Sequence, residues 1–190
     1  TLQQSSAASD VYKRQDDKQW DAILECHLTA PFKILRAAQP HIKKLFLKEK
    51  ENGITNFRKV VNISSTSGMF GNAGQINYAT AKAGVVGMAK TMAKEWGRYN
   101  VNVNAVGFGL IKTRLTDSDA EKEESLIDIE GNKIKVGVNS AVFQSAKTMI
   151  PLGRPGTPQE AAGAIYMFCI PESNYVTGQI LMCHGGGFGY

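Results

Sequence analysis

The chain has 190 residues, of which 43% are hydrophobic and 21% charged, the balance of one globular domain rather than of a disordered tract. No apolar run reaches the roughly 20 residues of a membrane-crossing helix, and no charged-then-apolar leader opens the chain, so a soluble, cytoplasmic protein is expected. The net charge of +5 is spread along the chain, densest at Lys43, Lys44, Lys48 and Lys50 at the end of a helical pattern, with no basic run interleaved with aromatics, which argues against nucleic acid. Cys26, Cys169 and Cys183 lack C-x-x-C spacing, which argues against a disulfide framework or a metal centre.

Residues 1–15 show no sustained helical or alternating period, and SSAASDVYKRQ resembles a translated adapter sequence; they are read as a non-native or disordered tail, with a native flexible arm as the alternative. Organised structure is expected over 16–190, opened by the acidic turn of DDKQWDAILECHL. Apolar residues at Trp20, Ile23, Leu24, Leu28, Phe32, Leu35, Ile42 and Leu45 mark a helix to about Phe46, with bends at Pro31 and Pro40 and a possible split at Pro40. KVVNIS (59–64) reads as a strand, INYATAKAGVVGMAKTMAKEWG as a long helix and VNVNAVGF (101–108) as a second strand. The charged stretch Thr116 to Ser125 reads as an exposed loop, and a turn over Glu130, Gly131, Asn132 and Lys133 would join IDI to IKVGV in a projecting hairpin. Thr157 and Pro158 are suited to cap and start a helix over PQEAAGAIYMFC, after which Gly178 introduces the strand-like QILMC.

Alternating strands and helices imply an α/β fold with a parallel sheet. A doubly wound, Rossmann-type sheet uses about six strands with a glycine-rich phosphate turn after the first. Only three strong strands and no strand-GxGxxG-helix unit are found, so the sequence reads as the C-terminal part of such a sheet, with its first strands and glycine-rich turn missing. GMFGNAG lacks the fingerprint spacing and GGGFGY has no helix after it; both read as structural turns.

Tyr78 and Lys82 lie four apart in the expected long helix and so share one face. A lysine cation beside a phenol favours the phenolate, which makes a tyrosine usable as a general acid or base near neutral pH. Around this pair, VVNISSTSGMFGNAGQINYATAKAGVVGMAKTMAKEWGRYNVNVNAV resembles the catalytic segment of the short-chain dehydrogenase/reductase family: a strand ending in serine, a glycine-bearing loop, Y-x-x-x-K, and a strand ending in N-A-V. The resemblance runs from about Asp16 to Gly187, and its wording is nearest to 3-oxoacyl-(acyl-carrier-protein) reductases and 3-hydroxyacyl-CoA dehydrogenases.

The resemblance implies that Ser65, 13 residues before Tyr78, orients a substrate carbonyl, that Tyr78 exchanges its proton, and that Lys82 favours the phenolate and holds the ribose of NAD or NADP. Ser64 and Ser67 read as loop residues with local hydrogen bonds, and Asn62 and Asn77 as partners of backbone groups. His27 falls where the family offers an asparagine to a proton relay; it is either a substitute relay or a packing residue. Ile111 and Thr113 keep the positions that grip the nicotinamide carboxamide, although Phe108 and Gly109 replace the usual proline-glycine turn and His184 stands where aspartate is usual. The implied activity is hydride transfer between NAD(P)(H) and a carbonyl or secondary alcohol, a 3-oxoacyl thioester above all, by a homodimer or homotetramer whose interface uses the helices around Trp20 to Phe46 and Ile76 to Trp96. A catalytically silent fragment or assembly partner is the alternative. A Ser65–Lys82 hydrolase leaves Tyr78 unexplained and has no G-x-S-x-G elbow.

Overall fold

The computed structural model describes residues 15–113, 126–129, 132–135 and 148–187. Helix α1 (Asp17–Leu24) is started by a capping box: the Asp16 carboxylate accepts from the Gln19 N–H while the Gln19 side chain accepts from the Asp16 N–H. It runs into a π-helical turn, Glu25–Thr29, and then into α2 (Ala30–Glu51). The expected split at Pro40 does not occur, since Pro40 lies inside an unbroken α2; the interruption is the π turn, where an extra residue is inserted into the helical ladder.

Strand β1 (Arg58–Ser65) is one residue longer at each end than expected, and its first residue is fixed by a bidentate Arg58–Glu49 ion pair to the end of α2. It leads directly into the short α3 (Thr66–Phe70) and then α4 (Ile76–Trp96). β2 occupies Val101–Phe108 as expected. β1 and β2 pair in parallel from Arg58↔Val101 to Ser65↔Phe108, and the last four residues of β2 pair in parallel with β5 (Ile180–Cys183), giving the order β1-β2-β5. This is the expected parallel α/β layer.

The core lies where α4 crosses the sheet. Ala89, Met92, Ala93 and Trp96 pack on Val101, Val103 and Ala105 of β2. Asn104 of the buried β2 donates to the Val176 carbonyl and accepts from the Gln179 N–H, so the polar side chains of the strand are used to pin the loop entering β5.

The expected hairpin is present as antiparallel β3 (Leu126–Ile129) and β4 (Asn132–Lys135), with Ile129 paired to Asn132, so Asn132 and Lys133 belong to the strand rather than to the turn. The expected exposed loop at 116–125 and the tail at 1–14 lie outside the described residues. Helix α5 (Pro158–Tyr166) starts as expected at Thr157 but stops before Met167. Phe168 and Cys169 donate to carbonyls three residues back, a tightening that precedes Pro171.

Candidate active site

Two strand ends frame the site. At the first, Ser65 closes β1 and caps α3: its Oγ accepts from the Ser67 N–H at 3.2 Å. An acceptor used in this way keeps its own O–H proton to donate. Ser64, expected in a loop with a local bond, is instead the penultimate strand residue, and its Oγ donates 2.8 Å across to the Lys82 carbonyl. Ser67 does bond locally, through its N–H to Ser65 and through its Oγ to Gln75.

α3 lies almost on the backbone of α4. A methyl group at Gly68 would stand 2.7 Å from the Lys82 carbonyl carbon and Cβ and 2.8 Å from the Ala83 nitrogen. Backbone atoms cannot yield as a flexible side-chain tip can, so the absence of a side chain at Gly68 sets how near α3, which Ser65 caps, comes to α4. Sequence reading placed this glycine in a structural turn; the signal that could have marked it is its position three residues after the serine in the segment facing Y-x-x-x-K.

On α4, Tyr78 is half-buried and Lys82 is 8% exposed. The Lys82 ammonium sits 5.5 Å from the Tyr78 ring centroid, over the ring, and donates 3.0 Å to the Ile63 carbonyl of β1. Burial pushes the ammonium below the ordinary lysine value, with Cys26 acting weakly in the opposite sense. Asn77 holds the start of the helix, donating to the Gln19 carbonyl and accepting from the Tyr78 N–H, as expected. Asn62 departs from expectation: its buried Nδ2 has no partner among the described residues.

His27 projects from the π turn and meets Tyr78 edge-on, ring centroids 5.2 Å apart and planes at 89°. The neighbouring Leu28 presses against Gly84 of α4, where a methyl group would be only 3.0 Å from Leu28 Cδ1. Close approach at Gly84 thus seats the turn, and the turn aims His27. Burial first and the Lys82 charge second hold the imidazole below the usual histidine range, so it is neutral at neutral pH.

The second strand end is built from backbone. Gly109 continues β2 by donating to the Cys183 carbonyl, and a methyl group there would be 2.7 Å from His184 Cβ and 3.7 Å from Thr66 Cγ2, which brings this end against the start of α3. Phe108 packs with Val106, Ala164 and Phe168. Ile111 then forms a parallel bridge with Gly156, in which Lys112 N–H donates to the Gly156 carbonyl at 2.8 Å and Gly156 N–H donates to the Leu110 carbonyl at 3.0 Å. Tyr78, Lys82 and His27 therefore meet beside the carboxyl end of β1, which Ser65 closes, while Ile111 lies on a separate backbone ledge that leads on to Thr113.

For a nicotinamide coenzyme, the described residues offer at one end a buried cation, a serine hydroxyl and a ledge of main-chain groups, with Gly156 lying close against Ile111, where a methyl group would stand 2.7 Å from Ile111 Cδ1. No glycine-rich turn from strand to helix suited to the pyrophosphate occurs among the described residues. No group of three or more metal-ligating side chains occurs among them either, and no described helix is long and apolar enough to cross a membrane.

Residues 4–187 match the model of the family described as enoyl-(acyl carrier protein) reductase. The chain is 37% identical over 173 residues to a 3-oxoacyl-(acyl-carrier-protein) reductase of Thermotoga maritima, covering 91% of the chain and 58% of the relative. It is 31% identical over 176 residues to nodulation protein G of a Rhizobium species, covering 93% and 60%. Among solved structures, a short chain dehydrogenase from Bacillus anthracis superposes with a TM-score of 0.64 at 28% identity over 92% of this chain and 57% of that one. 4-Hydroxyisoleucine dehydrogenase complexed with NADH and succinate shares the fold, with a TM-score of 0.69 at 23% identity over 92% and 61%. The chain thus spans about three-fifths of the length of these relatives, and with nearly all of its residues matched it belongs to the enoyl-(acyl carrier protein) reductase family of short-chain dehydrogenases/reductases.

Proposed function

We propose that the chain carries the proton-transfer half of an NAD(P)-dependent oxidoreductase that interconverts a carbonyl and a secondary alcohol, with a 3-oxoacyl thioester as substrate. The observation that carries this reading is the Lys82 ammonium, buried, bonded to the Ile63 carbonyl and seated over the Tyr78 ring. When bound, the nicotinamide supplies or accepts the hydride. In reduction the Ser65 hydroxyl donates to the substrate oxygen and orients it, and Tyr78 gives its phenolic proton to that oxygen. Lys82 favours the resulting phenolate and holds the ribose; oxidation runs the same transfers backwards. His27, neutral and against the Tyr78 ring, returns the proton toward the α1 side in place of an asparagine. Ile111 and Thr113 hold the carboxamide.

The same reading expects a homodimer or homotetramer. In support, a groove of about 440 Å³ between α2 and α4 is lined by Phe32, Leu35, Met88, Met92 and Trp96 together with polar and charged side chains such as Arg36 and Glu95. Three free thiols, at Cys26, Cys169 and Cys183, support a reducing, cytoplasmic setting. The seating of Lys82 over Tyr78 beside the β1 end that Ser65 closes favours an enzyme over a silent assembly partner. The test is Tyr78→Phe in the full-length gene product carrying this chain, assayed with acetoacetyl-CoA and NADH or NADPH. Turnover is expected to fall by about 10²–10⁴-fold with coenzyme binding retained; near-unaltered turnover removes Tyr78 from the chemistry.

A further inference from the structure

We infer that the Arg154–Glu160 ion pair is a positioning device for the nicotinamide end of the coenzyme, acting through the Gly156 peptide on the ledge Ile111–Thr113. The inference rests on the reading that this ledge holds the carboxamide.

Glu160 gathers an unusual number of donors for an exposed carboxylate. Arg154 Nη2 donates to its Oε1 at 2.6 Å and Arg154 Nη1 to its Oε2 at 2.8 Å. The Thr157 N–H and hydroxyl donate to Oε2 at 2.8 and 3.1 Å, and Thr157 Oγ1 accepts in return from the Glu160 N–H. Arg154 Nη1 also donates to the Pro155 carbonyl. These charge-assisted bonds hold Glu160 well below the carboxylate range, at about 2, so the knot is intact at any ordinary pH.

A helix cap needs only Thr157 and Glu160. The arginine is surplus to capping, and an exposed ion pair by itself adds little stability. What the arginine adds is the loop: with residues 154 and 157 tied to one carboxylate and the Pro155 carbonyl tied to the same guanidinium, the residue left between them is Gly156. Its two peptide groups bracket Ile111, through Leu110 and Lys112, and its missing side chain lets Ile111 lie against it. The ion pair therefore fixes where the chain leaving β2 runs, at the carboxyl end of the strand, beside the β1 end that Ser65 closes.

The test is calorimetric binding to the full-length gene product, comparing NADH with ADP-ribose and NADPH with 2′-phospho-ADP-ribose, which lack the nicotinamide. Arg154→Met leaves the capping box whole and removes the clamp; Glu160→Gln keeps a capping side chain and removes the charge. Both variants are expected to weaken the dinucleotide by about five- to tenfold while leaving the nicotinamide-free ligand unchanged. Equal weakening of both ligands, or of neither, overturns the positioning role. If the unaltered protein binds the dinucleotide no more tightly than its nicotinamide-free counterpart, the carboxamide assignment of the ledge falls, and the positioning role with it.

Discussion

The ends of β1 and β2 lie side by side, with Ser65 paired to Phe108, yet they are built by different means. The β1 end is made of groups pressed onto the buried face of α4: Ser64 bonded to the Lys82 carbonyl, Gly68 against the Lys82 backbone, and the Lys82 ammonium returned to Ile63. The β2 end is a strip of main chain bridged to a loop whose shape is held by an exposed ion pair. A group that must move a proton at a fixed distance benefits from a rigid, desolvated support. A ledge that must accept a planar ligand is better made from peptide groups, which offer a donor and an acceptor at regular spacing. The two halves of the proposed reaction thus rest on two kinds of scaffold.

The comparison breaks most visibly at Gly68. Gly68→Ala puts a methyl within 2.7 Å of backbone, so α3 must lift from α4 and carry Ser65 with it; kcat/KM is expected to fall by about a hundredfold, with coenzyme affinity held, as measured by steady-state kinetics and fluorescence titration. Gly87→Ala is the control, because a methyl group there has nothing within 4 Å. A loss at Gly87 equal to that at Gly68 would show that replacing glycine in these helices, not the placement of Ser65, is responsible.

A smaller effect is expected at Ser64, which is 2% exposed. Ser64→Ala removes its bond to Lys82 and is expected to cost about 1–2 kcal/mol in urea unfolding, since it takes one of the stitches between sheet and helix. An unchanged midpoint would mean that the β1 end does not depend on that stitch.

The smallest effect is the pH dependence set by His27. Its folded value is depressed below the unfolded one, near 6.5, by burial and then by Lys82, so the folded state binds the proton less readily than the unfolded state. The associated stability is present above about pH 6.5 and is lost as pH falls through the depressed value. His27→Asn is expected to flatten that part of the curve of melting temperature against pH between 7.5 and 5; an unaltered curve would mean that neither burial nor Lys82 depresses the imidazole.

Much of the β1 end was legible in the sequence. The alternation of strand and helix, the four-residue spacing of Tyr78 and Lys82, and the serine at the strand end are local patterns, and local patterns survive folding. The Thr157 cap was legible for the same reason, and the Asp16–Gln19 box carries the same signature. The π turn was not legible: one extra residue in a helix has no compositional mark, whereas Pro40 is a conspicuous breaker that a long helix nonetheless absorbed. The reach of Ser64 to Lys82, the closeness at Gly68 and the Gly156 bridge depend on which segments meet across the fold, and no spacing along the chain encodes that. Asn62 shows the reverse error: a residue type that usually finds a backbone partner keeps a buried nitrogen without one among the described residues.

The central claim, that Tyr78 and Lys82 act as one unit, is tested most directly by a double-mutant cycle of Tyr78→Phe and Lys82→Met in the full-length gene product, read as kcat/KM at saturating coenzyme. The account predicts that the double variant is little worse than the poorer single variant, because each substitution already disables the unit. Losses that multiply, as for independent sites, would contradict it.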